Sequence, residues 1–377
     1  QVFIQRTTHL ISNHQRITER HIEDREDNMK SLKQHIYEGL LQGMDKTLDA
    51  GDTLATDLIR AQIDEFMHQN YRTPKYKILK SPNKDGKYVV NAQGELRLRT
   101  IADALTNDLF VFGKVKRFSC FDNSYIKSLK GAPQEVDVIN CAWCIGLESL
   151  EGCPQVINNS AIFSDTGITS LKGLPKEING DLDLRGTKIK NLVGGPEKVM
   201  GDLYVQTCRN LTSLKGSPKY VMGNFNCEEC MCLTSLEGGP QDVRNYWCCG
   251  NHSLKSFKGA AKTIRGSFLG DNCTSLESLD MGKTKIERNF SIEWCKSLKS
   301  LEGSPKVRCN YDASRCAELT SLKGLENYDA SFTAAFCPNL KSLEGCPKRL
   351  LSIDLHGGHM WQKEDVSAIC DCDSIIV

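Results

Sequence analysis

Cys208-Arg-Asn-Leu211-Thr-Ser-Leu214-Lys-Gly216-Ser-Pro218-Lys-Tyr-Val221-Met-Gly223-Asn-Phe225 decides the fold, because the chain keeps repeating it. Working outward from Leu214, a main apolar residue recurs at Leu129, Leu150, Leu171, Leu192, Leu236, Phe257, Leu279, Leu301, Leu322 and Leu343, always 21 or 22 residues apart. Three positions earlier each of these eleven units holds Ile or Leu, from Ile126 to Leu340. Gly follows the main residue at plus two in ten units, Met281 being the exception, and Pro at plus four in eight. Gly and Pro together make a corner rather than a helix. Beyond the corner a short alternating stretch, such as Leu182-Asp183-Leu184 or Phe225-Asn226-Cys227, has the period of two of a strand.

A unit this short has no room for two helices, which excludes the helical repeat classes. The pattern predicts a mainly β fold: a parallel, right-handed solenoid of about eleven leucine-rich-like coils. Successive coils stack about 4.8 Å apart and bury one continuous aliphatic spine, so that a single coil could not fold alone. Ser precedes the main residue in ten units of eleven, which marks it as architecture. The residue after it reads Lys130, Glu151, Lys172, Val193, Lys215, Glu237, Lys258, Asp280, Glu302, Lys323, Glu344. Seven of its ten neighbouring pairs are opposite in sign, so this column holds register and argues against a one-signed stripe for nucleic acid.

The unit beginning at Cys208, and less completely the one beginning at Cys230, resembles the short bacterial and treponemal type of leucine-rich repeat, over about residues 115 to 355. It lacks the Ala-Phe pair of the treponemal repeat, and its Gly-x-Pro corner is similar to repeat proteins of tailed phages. The resemblance implies a solenoid used for binding protein.

Cys144, Cys208, Cys230, Cys273, Cys295, Cys316 and Cys337 all stand six residues before their main residue. In leucine-rich repeats the equivalent Asn or Cys turns inward and bonds backbone groups, so the resemblance implies a structural role. In-register Cβ atoms nearly 5 Å apart exceed the ~3.8 Å of a disulfide, so these thiols are expected to be reduced. Two sharper motifs have metal-like spacing. Cys227, Cys230 and Cys232, with Cys249 one coil on, form a candidate zinc set, and Cys141-Ala-Trp-Cys144 is a CxxC. The repeat generates that spacing by itself, so no metal and no cofactor is expected. His356 and His359 with Cys370 and Cys372 form another candidate set, weighed against a simple C-terminal cap that includes Met360 and Trp361.

Of 377 residues, 40% are hydrophobic and 25% charged, and 48 basic side chains against 47 acidic give a net charge of +1. That is a folded composition with no long-range field to attract nucleic acid or an anionic membrane. No stretch approaches the ~20 apolar residues of a membrane span, and no secretory signal opens the chain. The expected place is the cytoplasm of a host cell or a virion, with the protein monomeric unless a solenoid end is left uncapped.

Ahead of the repeats, residues 1–28 read as an untranslated or disordered leader, because the first Met is Met29 and several preceding residues allow purine-only codons. Residues 29–52 read as an amphipathic helix opened by a capping box at Ser31 to Gln34, with Leu32, Ile36, Leu40 and Met44 on one side. Met29 to Gly39 resembles the leader of internal head proteins in T-even-type phages. The resemblance implies cleavage after the triplet Ile36, Tyr37, Glu38. Residues 53–117 read as an α+β cap, with a helix over about Leu54 to Gln69 and short strands over Tyr76–Leu79, Tyr88–Val90 and Leu96–Arg99. The solenoid is expected over 118–355 and a cap or tail over 356–377.

No nucleophile with its base, phosphate loop or carboxylate pair is legible. The function expected is therefore a non-enzymatic interaction scaffold with a protein partner, phage-encoded. A bacterial surface or secreted adhesin and a cysteine-rich zinc protein are the alternatives.

Overall fold

The computed structural model describes residues 48–72, 75–79, 83–98, 108–325 and 330–377. The leader, the capping box and the Ile36-Tyr37-Glu38 triplet lie outside them. Two compact units divide at Phe66, and every strand belongs to the second. The described part of the first is helical: the helix Leu48–Asn70 begins earlier than its apolar pattern suggests and runs past the division by one turn.

The second unit is a β-solenoid of about 13 turns. Its main ladder starts with the long strands Tyr88–Leu98 and Phe110–Ser119, which pair in parallel. It continues through Glu135–Asn140, Ala161–Ile162, Leu182–Asp183 and Leu203–Tyr204 to Phe225–Asn226, one strand per coil. The same register carries on from Tyr246–Trp247 to Arg349–Asp354. A second parallel ladder of six two-residue strands runs from Glu177–Ile178 to Lys285–Ile286, just past the corner. The free edge of Tyr88–Leu98 is covered by two short antiparallel strands, Tyr71–Arg72 and Tyr76–Ile78.

Three segments depart from expectation. Tyr88–Leu98 is one strand of 11 residues rather than two, and with Phe110–Ser119 it belongs to the stack. At the other end, residues 356–377 add a helical turn, Lys363–Ser367, and a parallel rung, Asp371–Ile376. These end coils lack the Ser-Leu and Gly-x-Pro marks, so only alternation announces them.

Every main residue, Leu129, Leu150, Leu171, Leu192, Leu214, Leu236, Phe257, Leu279, Leu301, Leu322 and Leu343, is at most 3% exposed. The inward strand position carries its own column. There Phe225, Tyr246, Phe268, Phe290, Tyr311 and Phe332 run ring to ring at 4.9–5.5 Å, edge-on, tilted or stacked. Each such side chain contributes about 1.5–3 kcal/mol by burial, and the repeat spacing delivers that gain once per coil.

The corners explain the regular spacing within the chain. All ten corner glycines after the main residue have φ between +84° and +112°. Where Met281 replaces the glycine, the positive φ moves one residue on to Gly282. The serine before the main residue accepts the N–H two residues ahead, as in Ser149 to Glu151, Ser213 to Lys215 and Ser235 to Glu237 at 3.1–3.2 Å. That local bond opens each turn.

Candidate interaction surface

Inward positions are monotonous and outward ones are not, so any recognition must come from outward columns. The thiols belong to the inside. Cys144 donates to the Cys120 carbonyl at 2.9 Å, Cys208 to Leu184 at 3.1 Å and Cys230 to Val205 at 3.2 Å. Cys273, Cys295, Cys316 and Cys337 repeat this one coil further each, at 3.3–3.4 Å. Asn251 takes the place in its own coil and donates to both the Cys227 and Cys248 carbonyls, at 3.0 and 2.8 Å. Burial pushes the Cys208 thiol up to about 11 and those of Cys230 and Cys295 further still, which makes them poor nucleophiles at neutral pH.

The candidate zinc residues are not brought together. Cys227 and Cys230 are fully buried, Cys232 is exposed, and Cys249 faces outward with its sulfur 3.9 Å from the Asp271 carboxylate. The second set is also split. His356 Nδ1 lies 2.6 Å from Asp354, His359 packs edge-on against Trp361, and Cys370 and Cys372 touch each other at 3.1 Å. Among the described residues no group of three or more His, Cys, Asp or Glu is arranged to hold a metal ion.

The alternating charges after the main residue do meet across coils: Lys130 with Glu151, Lys258 with Glu237 and Lys323 with Glu302, at 3.0–3.2 Å. Their side chains are more than half exposed, so solvent screens each pair and its effect is on register rather than on stability. A second polar column went unread in the sequence. Asp181 accepts the Asp202 N–H, Asp202 that of Asn224, and Asn245 that of Ser267, at 2.7–2.8 Å. Its signal was a recurring Asp or Asn just before the strand, hidden by its mixed identity.

The outward feature with a physical cost lies where each coil turns after the main strand. At twelve successive coils, from Asp122 to Gly357, the residue just before the thiol position has φ between +55° and +70°. Gly fills three of these places, and Asp or Asn three. The others include Thr207, Trp143, Trp294, Arg315 and Phe336, and an L side chain in this region costs roughly 1–2 kcal/mol. Trp143, Trp294 and Phe336 are 54%, 45% and 42% exposed. The Arg315 guanidinium stands 5.1 Å from the Trp294 ring and 4.8 Å from the Phe336 ring, and Phe336 meets His356 edge-on at 4.7 Å. Four adjacent coils thus present Trp, Arg, Phe and His along one edge.

Among the described residues no helix is long and apolar enough to cross a membrane. No protein-family model, curated protein or solved structure matches the chain.

Proposed function

We propose that the chain is a non-enzymatic protein-protein interaction scaffold, encoded by a tailed phage and acting in the virion or on a host protein. The observation that carries this reading is the exposed edge Trp294, Arg315, Phe336, whose backbone conformation glycine would adopt without strain. Glycine holds the same place at Gly186, Gly250 and Gly357, so the turn itself does not require bulk. Trp and Arg dominate the energetics of protein interfaces, and strain kept at an exposed site points to a use for the side chain. The phage assignment draws on the Gly-x-Pro corner and on the Ile36-Tyr37-Glu38 triplet.

The test is photo-crosslinking in the cells that naturally make the protein, with a benzophenone side chain at position 294 or 336 and, as control, at Lys299. The expected result is one discrete adduct from 294 and 336 and none from 299. Adducts equally diffuse at all three sites, or none at all, would reject the scaffold reading.

A further inference from the structure

Three of the eleven corners lack the proline, and two of these are neighbours: Ala261 and Lys283 follow Pro240 at the same place in the next two coils. An open trough of about 750 Å³ lies there, lined by the corner glycines and by Lys262, Lys283 and Lys285, with Asp280 and the Lys258-paired Glu237 also in its wall. Exposed Arg244, Arg288 and Arg308 extend the cationic run over the adjoining coils of the second ladder. On the earlier coils the corresponding charges neutralise each other, Lys176 with Glu197 at 2.9 Å and Lys198 with Glu177 at 3.7 Å. These six cations form no ion pair among the described residues; Arg265 beside them is held by Asp242 at 2.8 Å. A molecule of net charge +1 has therefore gathered cations without ion pairs on one face around this hollow.

We propose that this trough and its rim dock an acidic segment of a partner protein, its carboxylates on Lys262, Lys283 and Lys285. The assignment rests on the scaffold reading and names a surface and a partner chemistry for it. The run spans four coils, roughly 15–20 Å, which an extended peptide covers in about five or six residues. Nucleic acid fits less well. None of the six positions offers an aromatic ring for base stacking.

The experiment uses the full chain and two fluorescein-labelled probes: a decapeptide of alternating Glu and Leu, and a single-stranded RNA of equal charge. Anisotropy is read at 150 mM salt for the natural protein, for the triple variant Lys262→Glu/Lys283→Glu/Lys285→Glu, and for Lys172→Glu/Lys215→Glu on another column. All altered side chains lie at the surface, and circular dichroism verifies the fold. The expected result is peptide binding that the triple variant weakens at least about tenfold, with the control variant unchanged and RNA bound more weakly. Tighter RNA binding, or equal peptide binding by all three proteins, overturns the proposal. Crosslinking through position 294 reads separately: if its adduct persists in the triple variant while the peptide result fails, the scaffold reading stands and this surface assignment falls.

Discussion

Asn251 stands where seven other coils carry Cys, and its carboxamide does more than a thiol can. Nδ2 gives both of its protons to buried carbonyls, those of Cys227 and Cys248, while Oδ1, equally buried, has no partner among the described residues. Asn251→Ala removes two hydrogen bonds worth about 1 kcal/mol each and strips the Cys227 carbonyl of its donor, at a further ~1–3 kcal/mol. It also removes the orphaned oxygen, a gain of similar size, and leaves a small cavity. The net expectation is a loss of about 2–3 kcal/mol. Asn251→Cys restores the single donor that the neighbouring coils use and deletes the same orphan. The Cys248 carbonyl still accepts from Cys273. That variant should fall within about 1 kcal/mol of the natural protein. Urea unfolding followed by circular dichroism in reducing buffer measures both, with the slope compared because repeat arrays can lose cooperativity. If Ala and Cys are equally destabilised, or Cys is the worse, the thiol column does not work by donating to the preceding coil.

Thr207, exposed and β-branched at φ +59°, should gain about 1 kcal/mol on Thr207→Gly, read as a raised midpoint; a loss would show that the edge is not strained. Gly152→Ala should cost more than about 1 kcal/mol, because φ is +86° and a Cβ would overlap the Leu129 carbonyl; an unchanged melting temperature would contradict the tight corner. Brief iodoacetamide labelling of native protein should reach exposed Cys232 and Cys309 first, by mass spectrometry, and Cys208 only after unfolding. Stability should fall in alkali. With burial lifting Cys208 from the ordinary value of 9.0 to about 11, the unfolded chain ionises first. This contribution, about 1.4 kcal/mol for each tenfold weakening of the thiol as an acid, is complete below pH 9 and lost as pH rises to about 11. A flat profile from pH 8 to 11 would oppose it.

The sequence alone determined the solenoid, because a coil of fixed length must place the same chemical type at the same inward position each time. Leu171, Leu192 and Leu214 are legible as one spine for that reason. Ser213 and Gly216 are legible too, since a local turn needs only local residues. Tertiary structure decided what no short-range pattern encodes. Tyr88–Leu98, Phe110–Ser119 and Asp371–Ile376 join the stack by pairing with a neighbouring coil rather than by carrying the repeat's marks. Asp181, Asp202 and Asn245 form a column through bonds between coils, which mixed residue types conceal. The candidate surfaces were the least legible. Trp294, Arg315 and Phe336 are 21 residues apart in sequence and adjacent only once stacked, and which lysines around the trough lack an ion pair shows only in the folded chain. Inward positions obey one packing rule repeated in every coil. Outward positions obey none, so their meaning exists only in three dimensions.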